Sequence, residues 1–130
     1  MFVKVFSAFL ILLTHFEASA QNEKDVWPQI EFPLTTIDFG TLEYASNGSR
    51  DIVFKNAGKG PLLIRQVQTS CGCTAAQTST EPYKKGKKGY ITVIYDTQRV
   101  GSFTKTLVVY SNAQNSPTEL TITGEVLAKP

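Results

Sequence analysis

The chain has 130 residues, a formal net charge of +2 and 42% hydrophobic residues. That length holds one ordinary domain with a single core. So small a charge argues against nucleic acid or an anionic membrane surface as the partner.

The first twenty residues have the layout of a secretory signal. Lys4 and the amino terminus are positive, Val5 to Leu13 is an apolar run, and Ala18-Ser19-Ala20 is an A-x-A cleavage site. The apolar run is shorter than the roughly 20 residues that span a bilayer. No cysteine follows the site, which argues against a lipid anchor. Processing before Gln21 gives a chain that is exported and no longer membrane-spanning, and it removes His15 and Met1, the only histidine and methionine. The mature protein then lacks the commonest general base and zinc ligand, and one soft copper ligand.

Gln21 to Pro28 is a polar lead-in, residues 29–127 form the domain and 128–130 are a tail. Within the domain, short β-branched and aromatic segments alternate with Gly, Asn and Pro punctuation. They are Gln29–Phe32, Thr35–Phe39, Arg50–Lys55, Leu62–Gln68, Tyr90–Tyr95, Thr104–Tyr110 and Glu119–Val126. About seven antiparallel strands in about 100 residues is the count of an immunoglobulin-like β-sandwich. Ile52 and Phe54 fall on one face, as do Ile91, Val93 and Tyr95, and Leu120, Ile122 and Val126, so one face of each strand is buried. Gly124 inside the last strand points to a bulge or a close backbone approach. Asn47-Gly48 suits a type I′ hairpin turn. The spaced cysteine pair of immunoglobulin domains is missing, so the core must hold without an inter-sheet disulfide.

Both cysteines lie in Ser70-Cys71-Gly72-Cys73-Thr74. In an extended strand residues i and i+2 are about 6.7 Å apart, at the limit of disulfide reach. Gly72 can bend the chain and close that gap. Three readings of Cys71 and Cys73 stay open at this point: a small structural disulfide, a redox pair, or a soft site for copper(I). Lys84, Lys85, Lys87 and Lys88 surround Gly86 in a basic turn, read as an edge guard or as a contact for an acidic partner. Asp38 and Asp96 suit turn roles better than acid–base work. Trp27 is expected to pack on the sandwich edge. No Gly-rich phosphate loop or other cofactor motif is present.

A fixed series of motifs completes the pattern. Ile37-Asp38-Phe39-Gly40, Phe54-Lys55-Asn56-Ala57-Gly58, Pro61-Leu62-Leu63-Ile64 and Ser70-Cys71-Gly72-Cys73-Thr74 come first. Gly89-Tyr90-Ile91-Thr92-Val93, Ser111-Asn112 and Gly124-Glu125-Val126 follow. The chain in this respect resembles the bacterial domain-of-unknown-function-1573 family, over Thr35 to Val126. Many members have Pro-Gly where this chain has Lys85-Gly86. The resemblance implies an immunoglobulin-like fold of the major-sperm-protein and Hydin type and an address in the bacterial envelope, periplasmic or extracellular. It implies no established activity. The expected function is a non-enzymatic module that binds an envelope protein or peptide segment. The alternative is thiol redox or copper(I) handling at Cys71 and Cys73.

The leader makes one prediction. Intact-mass analysis of exported protein should find Gln21 as the first residue; retention of residues 1–20 would exclude the cleavage site.

Overall fold

The computed structural model describes residues 26–130, so the leader and its cleavage residues Ala18, Ala20 and Gln21 lie outside the described residues. Eight strands follow one another: β1 Ile30–Glu31, β2 Thr36–Leu42, β3 Ser49–Asn56, β4 Ile64–Thr69, β5 Thr74–Gln77, β6 Lys88–Tyr95, β7 Gly101–Ser111 and β8 Thr118–Val126. They form two four-stranded sheets, ordered β1-β3-β6-β5 and β2-β8-β7-β4. The immunoglobulin-like sandwich expected from the alternating segments is therefore present.

Three details differ from the sequence reading. Strand β5 was not among the expected segments, because Thr-Ala-Ala-Gln is short and alanine is a poor strand former. It exists because β6 offers Thr92 to Tyr95 as a partner. Strand β2 pairs with β8 in parallel, while the other pairs run antiparallel. The two strands come from opposite ends of the domain, so no hairpin dictates their direction. Asn47-Gly48 makes no I′ hairpin, since β2 and β3 belong to different sheets. The positive φ lies at Ala45 (57°) instead. Gly48 is needed for contact: a Cβ there would sit 2.2 Å from the Tyr95 carbonyl oxygen.

The inward faces match the alternation. Ile52 and Phe54 of β3, Ile91, Val93 and Tyr95 of β6, and Leu120, Ile122 and Val126 of β8 are all buried. Two aromatic clusters fill the ends of the core. Tyr95 stacks on Phe103 at 3.7 Å, and Phe103 meets Phe39 edge-on at 5.9 Å. Phe54 meets Tyr83 edge-on at 4.9 Å and Phe32 at 5.9 Å. Gly124 leaves room for Phe103, whose ring would lie 2.6 Å from a Cβ at that position.

One polar side chain is wholly inside. The Asn56 amide donates to the carbonyls of Gly60 (2.8 Å) and Tyr83 (2.9 Å). Its oxygen accepts from the Gly58 N–H (3.0 Å) and, more weakly, from Gln29 N–H (3.4 Å). The Asn56 backbone accepts from Gly86 N–H and donates to the Lys87 carbonyl. A buried amide is stable only when satisfied in this way.

Replacing Asn56 by alanine strands the Gly60 carbonyl and the Gly58 N–H, and takes one of two donors from the Tyr83 carbonyl, which keeps Leu62 N–H (2.8 Å). Each stranded group costs about 1–3 kcal/mol. Urea denaturation of Asn56→Ala should show a loss of about 2 kcal/mol or more. A loss below about 1 kcal/mol, the scale of surface substitutions, would show that the amide is dispensable.

Candidate functional site

The cysteines sit at a corner. Ser70 to Cys73 carries the chain from β4, at the edge of one sheet, to β5, at the edge of the other. Cys71 and Cys73 are joined in a disulfide, with Cα atoms 5.3 Å apart. That is shorter than the ~6.7 Å of an extended i, i+2 pair, so the chain bends at Gly72. Gly72 is exposed, with open space where a Cβ would stand.

Backbone bonds fix the corner to both sheets. Ser70 N–H donates to the Thr106 carbonyl of β7 (3.0 Å), and Thr106 N–H donates to Ser70 Oγ (3.1 Å). Asp96 N–H, just past β6, donates to the Cys73 carbonyl (2.8 Å). Thr69 Oγ1 donates to the Cys71 carbonyl (3.0 Å). Cys73 N–H points at Cys71 Sγ (3.3 Å), and the Thr74 hydroxyl lies 3.8 Å from each sulfur.

With the sulfurs bonded to each other, neither is a thiolate able to bind copper(I) or attack a substrate. An incoming thiolate would meet Cys71 first, since Cys71 is half-buried and Cys73 only 3% exposed. Among the described residues no group of three or more His, Cys, Asp or Glu side chains is placed to hold a metal ion.

The more telling feature lies beside the corner, in the sheet that β5 completes. In an antiparallel ladder, alternate residues turn their N–H and C=O to opposite neighbours. Asn56 N–H donates to the Lys87 carbonyl and Tyr95 N–H to the Gly48 carbonyl, so the odd-numbered residues of β6 face β3. Asp96 N–H bonds Cys73, so the even-numbered residues face β5. But β5 pairs only with Thr92 to Tyr95. The N–H and C=O of Lys88 and Tyr90 are left without a strand. A groove of about 500 Å³ opens there, lined by Gln77, Thr78, Ser79, Tyr83, Lys88 and Tyr90, among others. The Thr78 hydroxyl is buried and has no hydrogen-bond partner.

The other side of the same sheet is also incomplete. Strand β1 pairs only with Lys55 and Asn56, so the backbone groups of Asp51 and Val53 face open space. A smaller groove of about 210 Å³, between Pro33, Leu34, Ile37 and the middle of β3, runs along them. Strand β1 itself is shielded: the Asn115 amide accepts from Ile30 N–H (3.1 Å) and donates to Ile30 C=O (2.8 Å). Arg50 spans the gap between sheets, bonding the Phe39 carbonyl at 3.3 Å and lying 5.4 Å over its ring.

The remaining sequence candidates fall outside these grooves or on their rim. Asp38 Oδ1 accepts from Gly40 N–H (2.8 Å) and Asp96 Oδ1 from Gln98 N–H (3.0 Å), so both carboxylates serve turns. Trp27 is more exposed than an edge-packed residue, and its carbonyl accepts from Lys59 N–H (3.2 Å). The basic turn is exposed, with Gly86 at φ 76°, and it feeds directly into β6 beside the larger groove. Sequence reasoning missed Thr78 and which stretches of the sandwich edges stand open. No sequence signal marked them: the open stretch follows from a four-residue β5 lying beside an eight-residue β6, and β5 was not among the expected segments.

No curated protein matches the chain. Among solved structures, a protein of unknown function from Porphyromonas gingivalis is similar, with TM-score 0.70 and 20% identity, over 78% of this chain and 48% of that one. This chain thus spans about half the length of that protein. The ASH/PapD-like domain 7 of human CEP192 matches at TM-score 0.65 and 8% identity, over 80% of this chain and 89% of that domain. A chain of the CsuC–CsuE chaperone–tip adhesion subunit pre-assembly complex of Acinetobacter baumannii matches at 0.54 and 10%, over 77% and 52%. At these identities the likeness is one of fold. The sequence itself goes further: the model of the protein family of unknown function DUF1573 matches residues 30–126, and the chain belongs to that family.

Proposed function

We propose that this protein is an exported, non-catalytic module that binds extended segments of other envelope proteins along the open edges of its β1-β3-β6-β5 sheet. The observation that carries this reading is the row of backbone groups without a partner: Asp51 and Val53 on β3, Lys88 and Tyr90 on β6. A peptide added as a strand satisfies such groups, and the adjoining pockets select its side chains. The leader at residues 1–20 and the family resemblance support export to the envelope. The small net charge supports a protein rather than a nucleic-acid partner. Among the described residues no helix is long and apolar enough to cross a membrane.

The Cys71–Cys73 bridge has a place in this reading as a brace. It holds the bend from which β5 starts. The chain-entropy model gives a three-residue loop roughly 1.6 kcal/mol of stabilisation. The double variant Cys71→Ser with Cys73→Ser should therefore stay folded and lose about 2 kcal/mol or less in urea titration. Rapid exchange of the native bridge with added dithiol, with the fold intact, would move the functional reading to thiol chemistry.

A photo-crosslinking amino acid placed at Val53 or Tyr90 in cells tests the binding reading. Adducts should form with envelope proteins from one or both edge positions. They should be absent from Thr104, which is exposed on the opposite sheet. Adducts equal at all three positions, or absent at both edges, would overturn it.

A further inference from the structure

We infer that the groove beside β6 is built for an extended acidic segment, with a carboxylate side chain placed two residues from a β-branched or aromatic one. The inference rests on the strand-addition reading and assigns it an edge and a chemistry.

The backbone sets the length. Strand β6 runs from Lys88 to Tyr95, and β5 covers it only from Thr92 onward. The uncovered stretch, residues 88–91, is about 13 Å at 3.3 Å per residue. Two partner residues can each exchange a pair of N–H···O=C bonds there, one with Lys88 and one with Tyr90.

Directly paired residues share a face of the sheet, so the partner's side chains are constrained one by one. Lys88 and Tyr90 both point outward and are exposed, Tyr90 by 59%. The residue facing Lys88 is best an aspartate or glutamate. The residue facing Tyr90 is best apolar, since the ring offers a broad face already flanked on β3 by Val53. The residue between them turns to the other side of the sheet. A small hydrogen-bonding side chain there suits the Thr78 hydroxyl, which is buried and without a partner.

Charge supports the same choice. Lys87 and Lys88 line the groove, Lys84 and Lys85 lie in the exposed turn that leads into it, and among the described residues none of the four is in an ion pair. Glu81 is the only acidic residue between Thr74 and Tyr95. A cationic mouth raises the local concentration of acidic segments and disfavours basic ones. The β3 groove differs: it is lined mainly by Pro33, Leu34, Ile37, Ile52 and Val53, with Asp51 as its charge. The two edges therefore discriminate between ligands.

The test uses ¹⁵N-labelled protein expressed from the full reading frame. The probe is a blocked heptapeptide with Val-Ser-Glu at its centre, so that in the antiparallel register valine faces Tyr90 and glutamate faces Lys88, and the control peptide has lysine in place of that glutamate. The expected result is a saturable shift of the Lys88 and Tyr90 amide signals with the acidic peptide, and slower hydrogen exchange at both. Affinity should fall about tenfold in the double variant Lys87→Glu with Lys88→Glu, and weaken with salt, as exposed charge pairs do. Tyr90→Pro removes an N–H that bonds nothing within the protein, so it should abolish binding in a folded domain. If the proline variant unfolds, the charge-reversed variant still decides.

Equal binding of the lysine peptide, or binding unchanged by charge reversal, would overturn the inference. Shifts confined to Asp51 and Val53 would overturn this placement while leaving strand addition standing. Absence of any shift at millimolar acidic peptide would overturn it as well, and the crosslinking at Val53 would then judge the broader reading separately.

Discussion

The buried amide of Asn56 is the constraint on which the rest of the structure depends. It joins four segments that share no sheet pairing: the lead-in at Gln29, the turn at Gly58 and Gly60, the strap at Tyr83 and, through its backbone, the basic turn at Gly86 and Lys87. An amide can do this because it offers donors and an acceptor together and carries no charge to desolvate. Tyr83 lines the groove beside β6 and Lys87 stands at its mouth. One residue in the core thus positions both walls of the candidate site. The glycines around it serve the same knot. A Cβ at Gly58 would lie 2.4 Å from the Trp27 carbonyl oxygen, and one at Gly60 would lie 2.2 Å from that of Val26.

Asparagine amides finish this end of the sandwich where strands are missing. Asn115 pairs with both backbone groups of Ile30, as a neighbouring strand would. Asn112 does so for Leu63 N–H (2.7 Å) and the Pro61 carbonyl (3.0 Å). These plugs close particular edges, which makes the unplugged stretches of β3 and β6 more telling. An unpaired edge invites self-association, and proteins commonly guard it with lysine. The lysines beside β6 repel a second copy of themselves and, in the proposed reading, attract an acidic strand. Guarding and recruitment are one electrostatic property seen by two partners.

Much of the fold was legible because it depends on period two. The runs around Ile52, Ile91 and Leu120 announce their buried faces residue by residue, and the structure buries those side chains. The Phe54-to-Gly58 motif was visible as a pattern, but its physical meaning, an amide serving distant carbonyls, belongs to tertiary structure. Strand β5 was hidden because its residues have little preference of their own and take strand form from β6. The parallel placement of β2 was hidden for a related reason, since nothing local to Thr36–Leu42 records which way β8 runs. The candidate site was legible only in part. Its lysines are a cluster in the sequence, whereas its groove is an absence of pairing, and an absence leaves no residue to read.

The disulfide illustrates how chemistry and geometry trade places. A cysteine pair one residue apart invites a search for redox or metal function. Here the bridge sits in a corner already bonded to Thr106 on one sheet and Asp96 beyond the other. Its loop is too small for large chain-entropy stabilisation. Its leverage is local, because the bend fixes where β5 begins, with Thr74 opposite Tyr95. Three residues later β5 ends at Gln77, and the open stretch of β6 begins. A change at Cys71 and Cys73 therefore reaches the groove through the position of β5. In the proposed reading, the motif that looks most like an active centre acts on binding through strand placement, with no sulfur needing to touch the ligand.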